Sequence, residues 1–136
     1  MKQRDLGTKE SLALYRIERA EENMKSAQLL LNAGDYKGAN NRGYYAIFHA
    51  VTAVLALEGI GFKRHKDAIG YFNKNYIHTG IFPQELGHPI AQAELIRNKS
   101  DYDDFYMASK AETEGIIRTA KNLIELAKQF IIDHSE

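Results

Sequence analysis

Cysteine and tryptophan are absent from this chain of 136 residues, and proline occurs only twice. Without cysteine, the chain has neither a disulfide framework nor a thiolate metal site. Its 18 Lys and Arg residues balance 18 Asp and Glu residues, so no net charge draws polyanions to the molecule as a whole. Any contact with a nucleic acid must therefore come from a local basic patch.

Long apolar runs are also missing. The most apolar stretch, residues 46–57, includes His49 and Thr52 and is shorter than the roughly 18 to 20 residues that span a bilayer. The first residues, MKQRDLGTKES, lack the apolar centre of a signal peptide. We therefore expect a cytoplasmic protein without membrane contact. The length suits a single domain over residues 1–136.

Apolar residues recur at intervals of three and four along most of the chain, which predicts helices separated by glycine-marked turns. The predicted helices cover residues 10–33, 36–58, 66–78, 89–99 and 107–133. Gly34 is expected to end the first helix in a left-handed conformation, and Asp35 to cap the second. Four long helices and one short one predict an all-α fold, an antiparallel up-down bundle.

The second predicted helix has two contrasting faces. One is a core stripe of large side chains: Tyr44, Ile47, Val51, Val54 and Leu55. The other combines Arg42 and His49 with small residues: Gly38, Ala46, Ala53 and Ala56. Small residues let another helix approach closely, so this face packs against a helix of the same chain or of a second subunit. An arginine or histidine buried there needs an anionic or polar partner.

Arg42 and His49 lie about 20° apart around this helix and about 10 Å apart along it. Two copies related by a two-fold axis would place two such pairs around one cleft. Histidine can exchange protons with a 2′-hydroxyl or a 5′-oxygen, and arginine can stabilise the charge that develops on a phosphate. The pair therefore suits phosphodiester cleavage that needs neither a metal ion nor another cofactor.

The segment NRGYYAIFHA, residues 41–50, resembles the signature of the HEPN superfamily (higher eukaryotes and prokaryotes nucleotide-binding domains). In that signature an arginine and a histidine are separated by four to six residues, and here the separation is six. The similarity extends to the turn at residues 34–36, to the segment RNKSDY at residues 97–102 and to the long last helix. The chain resembles the small stand-alone prokaryotic members of the superfamily.

This resemblance implies a helical bundle that forms a homodimer through the motif helix. Many such proteins are metal-independent endoribonucleases that act as toxins, with a minimal nucleotidyltransferase as antitoxin. By similarity, Arg42 and His49 would be the catalytic pair and RNA the substrate. The further side chains predicted to contact substrate are Tyr45, Lys63, Arg64, Lys66, Arg97 and Tyr102.

Simpler interpretations stay open for several of these residues. The basic run at residues 63–66 is also typical of a solvated loop. Arg97 and Asp101 have the spacing of an intrahelical ion pair. The acidic cluster at residues 101–104 suits a solvated turn better than a metal site. The histidines without ligand spacing are predicted at the surface: His65, His78 and His134.

Two other functions compete with RNA cleavage. One is a non-catalytic HEPN module that binds a nucleotide or docks a nucleotidyltransferase partner. The other is a helical interaction protein. The chain itself has no glycine-rich phosphate loop and no paired-aspartate nucleotidyltransferase site, so it would be the partner of such an enzyme.

Overall fold

Helices dominate the computed structural model, which describes residues 8–135 and has no strand within them. The α-helices are α1 (Lys9–Asn32), α2 (Tyr36–Leu57), α3 (His65–Phe72), α4 (Gly87–Tyr102) and α5 (Lys110–His134). A π-helical segment, Asn73–Ile77, continues α3, and a short 3-10 helix, Gln84–Leu86, precedes α4. The prediction of an all-α bundle is confirmed. Residues 1–7, to which part of the signal-peptide prediction refers, and residue 136 lie outside the described residues.

Polar side chains determine where the long helices begin. The Thr8 side chain accepts a hydrogen bond from the Ser11 amide, and the Asp35 side chain accepts one from the Gly38 amide, both at 2.9 Å. Ser109 caps α5 in the same way. Between α1 and α2, Gly34 has a φ of 82°, a conformation that glycine adopts without strain. The predictions for Gly34 and Asp35 are confirmed.

Three boundaries differ by two residues or more from those predicted: both ends of the fourth helix, which continues to Tyr102 rather than to residue 99, and the start of the last helix. The fourth helix begins at Gly87, so Pro89 is its third residue and lies in the first turn. Amides in the first turn have no partner within the helix, so the missing amide proton of proline costs no hydrogen bond there. The last helix begins at Lys110 because Ser109, rather than a residue near 107, provides the cap.

Contacts between the helices define an up-down-up-down order for α1, α2, α4 and α5. The Lys128 ammonium lies 3.0 Å from Glu21, and the Lys121 ammonium lies 3.4 Å from Gln28, so α5 runs antiparallel to α1. The connection of α1 to α2 through residues 33–35 reverses the chain direction. Helix α2 lies at the centre of the bundle, where it contacts α1, α3, α4 and α5.

The core gathers around α2. All members of the predicted core stripe are at most 1% exposed: Tyr44, Ile47, Val51, Val54 and Leu55. Ala46 and Ala53 are fully buried as well, so the small-residue face packs within a single chain. A polar network crosses the core where the Asn40 amide donates to Ser100 of α4 and accepts from Thr113 of α5 at 2.6 Å.

One strip of α2 escapes this burial. It consists of Asn41, Arg42, Tyr45, Phe48 and His49, all of which are half-buried, and is called the α2 strip below. Over residues 8–135, no helix has the length and apolar character needed to cross a membrane.

Candidate active site

The α2 strip is the floor of the site, and its neighbours α1 and α4 supply side chains from either side. Asn23 of α1 reaches Arg42, and Arg97 of α4 reaches Tyr45. The helical repeat places residues 41, 42, 45, 48 and 49 on one side of α2. The strip is therefore the part of the motif helix that a substrate or a second subunit can reach.

The guanidinium of Arg42 is held by neutral amides. Its Nη1 donates to Oδ1 of Asn23 at 3.2 Å, and its Nη2 donates to Oδ1 of Asn41 at 2.6 Å. Its Cζ lies 5.4 Å from the centre of the Tyr45 ring. Within residues 8–135, no carboxylate forms an ion pair with this side chain. The positive charge of Arg42 is therefore oriented but not neutralised.

His49 lines a cavity of about 370 Å³ that Arg42 does not line. The basic side chains in its wall are Arg16, Arg19, Lys63, His49 and His65, and no carboxylate from the described part of the chain lines it. Arg19 also lies 3.6 Å from Glu22, a side chain that points into solvent. The cavity, called the His49 cavity below, is thus a concentration of positive charge in a neutral molecule.

Burial is the main cause that lowers the pKa of His49 to about 4. The neighbouring charges that lower it further are, in order of effect, Arg19, Arg16, His65 and Arg42. Near neutral pH the imidazole is uncharged, and an uncharged imidazole can accept a proton.

Tyr45 lies between the two motif residues. Its ring centre is 6.3 Å from that of His49, and its hydroxyl accepts a hydrogen bond from Nη2 of Arg97 at 3.0 Å. Nε of Arg97 also lies 3.0 Å from Asp101, which confirms the predicted intrahelical ion pair. Arg97 therefore holds the Tyr45 ring in place from α4.

His65, predicted at the surface, is half-buried instead. Its ring stacks on Phe48 with centres 3.8 Å apart, and its Nδ1 lies 3.4 Å from the Tyr44 hydroxyl. Burial, then the charge of Arg97, lowers the pKa of His65. Sequence reasoning missed this position because only the fold brings the start of α3 against the motif helix.

The remaining predicted substrate contacts are dispersed. Lys63 lines the His49 cavity, whereas Arg64 and Lys66 do not. Arg64 forms an exposed ion pair with Asp67 at 2.8 Å. Tyr102, at the end of α4, is 78% exposed. The structure thus brings Lys63 and His65 of the basic run to the His49 cavity and leaves Arg64 and Lys66 in solvent.

Arg16 and Arg19 were not predicted as site residues. They lie three residues apart on α1, beside the buried positions Ala13, Ile17 and Ala20. A pair of arginines next to the apolar stripe of an adjacent helix is the signal that could have identified them. Elsewhere in residues 8–135, no three histidine or carboxylate side chains are grouped so that they could hold a metal ion.

A sequence profile of the HEPN domain matches residues 13–130, which include all of α2 and the whole α2 strip. The chain belongs to the HEPN domain family. The family resemblance inferred from the motif segment is confirmed, because the match extends over most of the chain.

Named relatives of this HEPN protein come from bacteria and archaea. A "UPF0332 protein" of Thermotoga maritima is 30% identical over 128 residues, which cover 94% of this chain and 97% of the relative. A protein of Methanocaldococcus jannaschii named "Putative toxin MJ0605" is 32% identical over 113 residues, 83% of this chain and 84% of the relative. A second protein of that organism, "Putative toxin MJ0142", is 30% identical over 116 residues, 85% of this chain and 79% of the relative.

Proposed function

We propose that this HEPN protein is a metal-independent endoribonuclease that acts in the cytoplasm as the toxin of a toxin–antitoxin pair. RNA is its substrate, and a minimal nucleotidyltransferase is its antitoxin. Two relatives whose names contain the word toxin support the toxin role.

The His49 cavity carries this proposal. Its wall combines Arg16, Arg19 and Lys63 with His49, an uncharged imidazole, and it has no carboxylate among the described residues. Charge-assisted hydrogen bonds from guanidinium groups are suited to a phosphodiester, and a carboxylate there would repel it. Phe62, an exposed aromatic side chain beside the cations, offers a surface on which a base can stack.

A homodimer would complete the site. In a two-fold arrangement that lays one α2 strip antiparallel on another, with the axis beside Tyr45, Arg42 of the partner subunit faces His49. The half-buried state of the strip and the unpaired charge of Arg42 favour this packing. His49 then acts as the acid/base, and Arg42 of the partner subunit clamps the phosphate and stabilises the charge that develops on its oxygens.

The first test uses purified His49→Ala and Arg42→Ala variants with a mixed pool of RNA. Each variant is expected to lose about 10²- to 10⁴-fold of the cleavage rate, because each removes a proton-transfer or charge-stabilising group. His78→Ala and Arg118→Ala, which change the same residue types at exposed positions, are the matched controls and should cleave like wild type.

Mixing the two inactive variants tests the arrangement of the dimer. Half of the exchanged dimers would contain one chain of each kind, with one intact site of two, so activity should return to about a quarter of the wild-type level. A mixture that stays inactive, with dimers present by light scattering, contradicts an Arg42 contributed by the partner.

A non-catalytic nucleotide-binding module is the second candidate, because a cavity of about 370 Å³ with stacking and cationic walls also suits a single nucleotide. If wild type leaves every RNA intact but binds AMP in titration calorimetry, this candidate replaces the ribonuclease proposal.

A further inference from the structure

The inference concerns His65, the first residue of α3, and it rests on the ribonuclease activity proposed above. His65 and His49 line the same cavity, although 16 positions separate them in the chain. Both imidazoles also lie beside the same two aromatic rings. The ring of Tyr45 is 5.6 Å from His65 and 6.3 Å from His49, and that of Phe48 is 3.8 Å and 5.9 Å away, respectively.

We propose that His65 is the proton donor to the leaving 5′-oxygen, so that each chain holds a complementary pair of proton-transfer groups in one cavity. His49 is the base of this pair. The two-fold partner then supplies Arg42 but no second histidine for the same phosphate.

Two contacts hold the ring of His65 in place. Phe48 stacks on one face of the imidazole, and the Tyr44 hydroxyl lies 3.4 Å from Nδ1. Burial is the main cause that raises the pKa of Tyr44, so its hydroxyl keeps its proton. With Nδ1 engaged by Tyr44, Nε2 is the nitrogen that remains for the substrate.

A bound substrate favours the protonated form of His65, which takes its proton from solvent before it donates that proton to the leaving oxygen. The charged and titratable groups around it are Arg16 and Arg19 from α1, Tyr44, Tyr45 and His49 from α2, Lys63, and Arg97 from α4. One carboxyl group, that of Glu94 on α4, lies near enough to raise the pKa of Tyr44. Burial is the main cause that disfavours an imidazolium at this position, and the charge of Arg97 adds to it. A bound phosphodiester brings a negative charge beside the ring and reverses this preference.

The cleavage step balances with these two residues. Neutral His49 takes the proton of the 2′-hydroxyl as the 2′-oxygen forms a bond to phosphorus. The bond from phosphorus to the 5′-oxygen breaks, and His65 gives its proton to that oxygen. The products are a 2′,3′-cyclic phosphate and a 5′-hydroxyl, and water returns both histidines to their starting protonation states.

A substrate with sulfur in place of the bridging 5′-oxygen distinguishes a proton donor from a merely structural residue. A thiolate leaves without protonation, so the loss of a proton donor matters little for that substrate. His65→Asn is expected to slow cleavage of ordinary RNA about 100-fold or more, yet to cleave the sulfur-substituted RNA within about 10-fold of the wild-type rate. His49→Asn should be slow on both substrates, and His78→Asn on neither.

Other outcomes separate this inference from the function on which it rests. If His65→Asn cleaves both substrates at wild-type rates, the role of His65 is overturned. The same holds if the variant melts like wild type but loses equal activity on both substrates. Neither result affects the ribonuclease proposal. Failure of the wild-type chain to cleave either RNA overturns the ribonuclease proposal and this inference with it.

A measurement on the wild-type chain tests the proposal even if the His65→Asn variant does not fold. Long-range ¹H–¹⁵N spectra of the imidazoles, recorded with a DNA dinucleotide that has no 2′-hydroxyl, should show both His49 and His65 shift and His78 stay unchanged. A His65 signal that does not respond, while that of His49 does, contradicts the proposal.

Discussion

Two depressions flank Tyr45 along α2, one lined by Arg42 and the other by His49. The Arg42 groove has a volume of about 490 Å³, and its charged side chains have both signs: Asp35, Lys37, Arg42 and Asp101. The His49 cavity measures about 370 Å³, and the charged side chains that line it from the described part of the chain are all basic. Size does not distinguish the two depressions, whereas charge does.

Because of this difference, the surroundings of Arg42 and of His49 suit different kinds of contact, although both residues belong to one motif. The acids Asp35 and Asp101 would oppose a polyanion in the Arg42 groove, whereas no carboxylate of residues 8–135 lines the His49 cavity. A mixed-charge groove around a half-buried strip suits contact with a protein surface. The comparison therefore favours the His49 cavity over the Arg42 groove as the place where the proposed RNA substrate binds, with Arg42 contributed to it across the proposed two-fold axis.

Among the variants that test this comparison, the largest effect, a loss of RNA affinity, is expected from removing the cations of α1. The double variant Arg16→Gln, Arg19→Gln should bind a short single-stranded RNA about 10- to 100-fold more weakly, because two charge-assisted contacts are lost. The slope of log affinity against log salt should fall by about 1.4. Fluorescence anisotropy at several salt concentrations, in a His49→Asn background that prevents cleavage, measures both quantities.

The matched control for this experiment is Lys37→Gln, Arg118→Gln, which removes one cation from the Arg42 groove and one from exposed α5. Its affinity should stay within about twofold of the parent. Equal losses in the two double variants would show that the comparison of the two depressions is mistaken.

An intermediate effect is expected on stability as the pH falls. The pKa of His49 is about 4 in the folded chain, whereas an unfolded histidine takes up a proton near its ordinary value of 6.5. Between these values the unfolded state binds more protons, so acid favours unfolding. The pKa of His65 is lowered too, which acts in the same direction. The contribution of the uncharged His49 to the free energy of unfolding is complete above pH 6.5 and is lost progressively toward pH 4.

Thermal unfolding checks this prediction. Wild type should lose about 3 to 5 °C more of its Tm between pH 7 and pH 5 than His49→Asn does, because the variant has no proton to take up at this position. His78→Asn, at an exposed site, should follow the wild-type curve. A His49→Asn curve parallel to that of wild type contradicts a buried, uncharged His49.

The smallest effect is expected from Arg42 acting on His49 at a distance. Arg42→Gln should raise the pKa of His49, but by less than Arg19→Gln does, because Arg42 has the weakest influence of the four neighbouring groups. Titration of the imidazole by NMR ranks the two variants. The reverse order would place Arg42 inside the His49 cavity.

Features that depend on neighbouring residues along the chain could be predicted from the sequence. Asp35 and Gly34 mark the turn between α1 and α2 through their own conformational preferences, and periodicity identifies the buried stripe of α2. The small-residue face was ambiguous, since close packing against α1 and packing against a second subunit demand the same residues. Only the fold shows that Ala46 and Ala53 are covered within one chain.

The composition of the candidate site depends on which helices meet. Arg16 and Arg19 reach His49 because α1 packs antiparallel on α2, and no local pattern reports that alignment. His65 follows a glycine-rich connection, and its stacking on Phe48 depends on where that connection returns. Periodicity predicts which side of a helix is buried, but it carries no information about the partner of each residue.

The buried hydrogen bonds of Asn40, two residues before Arg42, limit how far the motif helix can shift along its neighbours. Apolar contacts can be exchanged for similar ones when a helix shifts along its neighbours, but directional bonds to Ser100 and Thr113 cannot. A shift of one turn would leave an amide in a dry interior without partners, at about 1 to 3 kcal/mol for each bond lost. The axial position of the arginine is therefore set by a side chain that neither solvent nor RNA can touch.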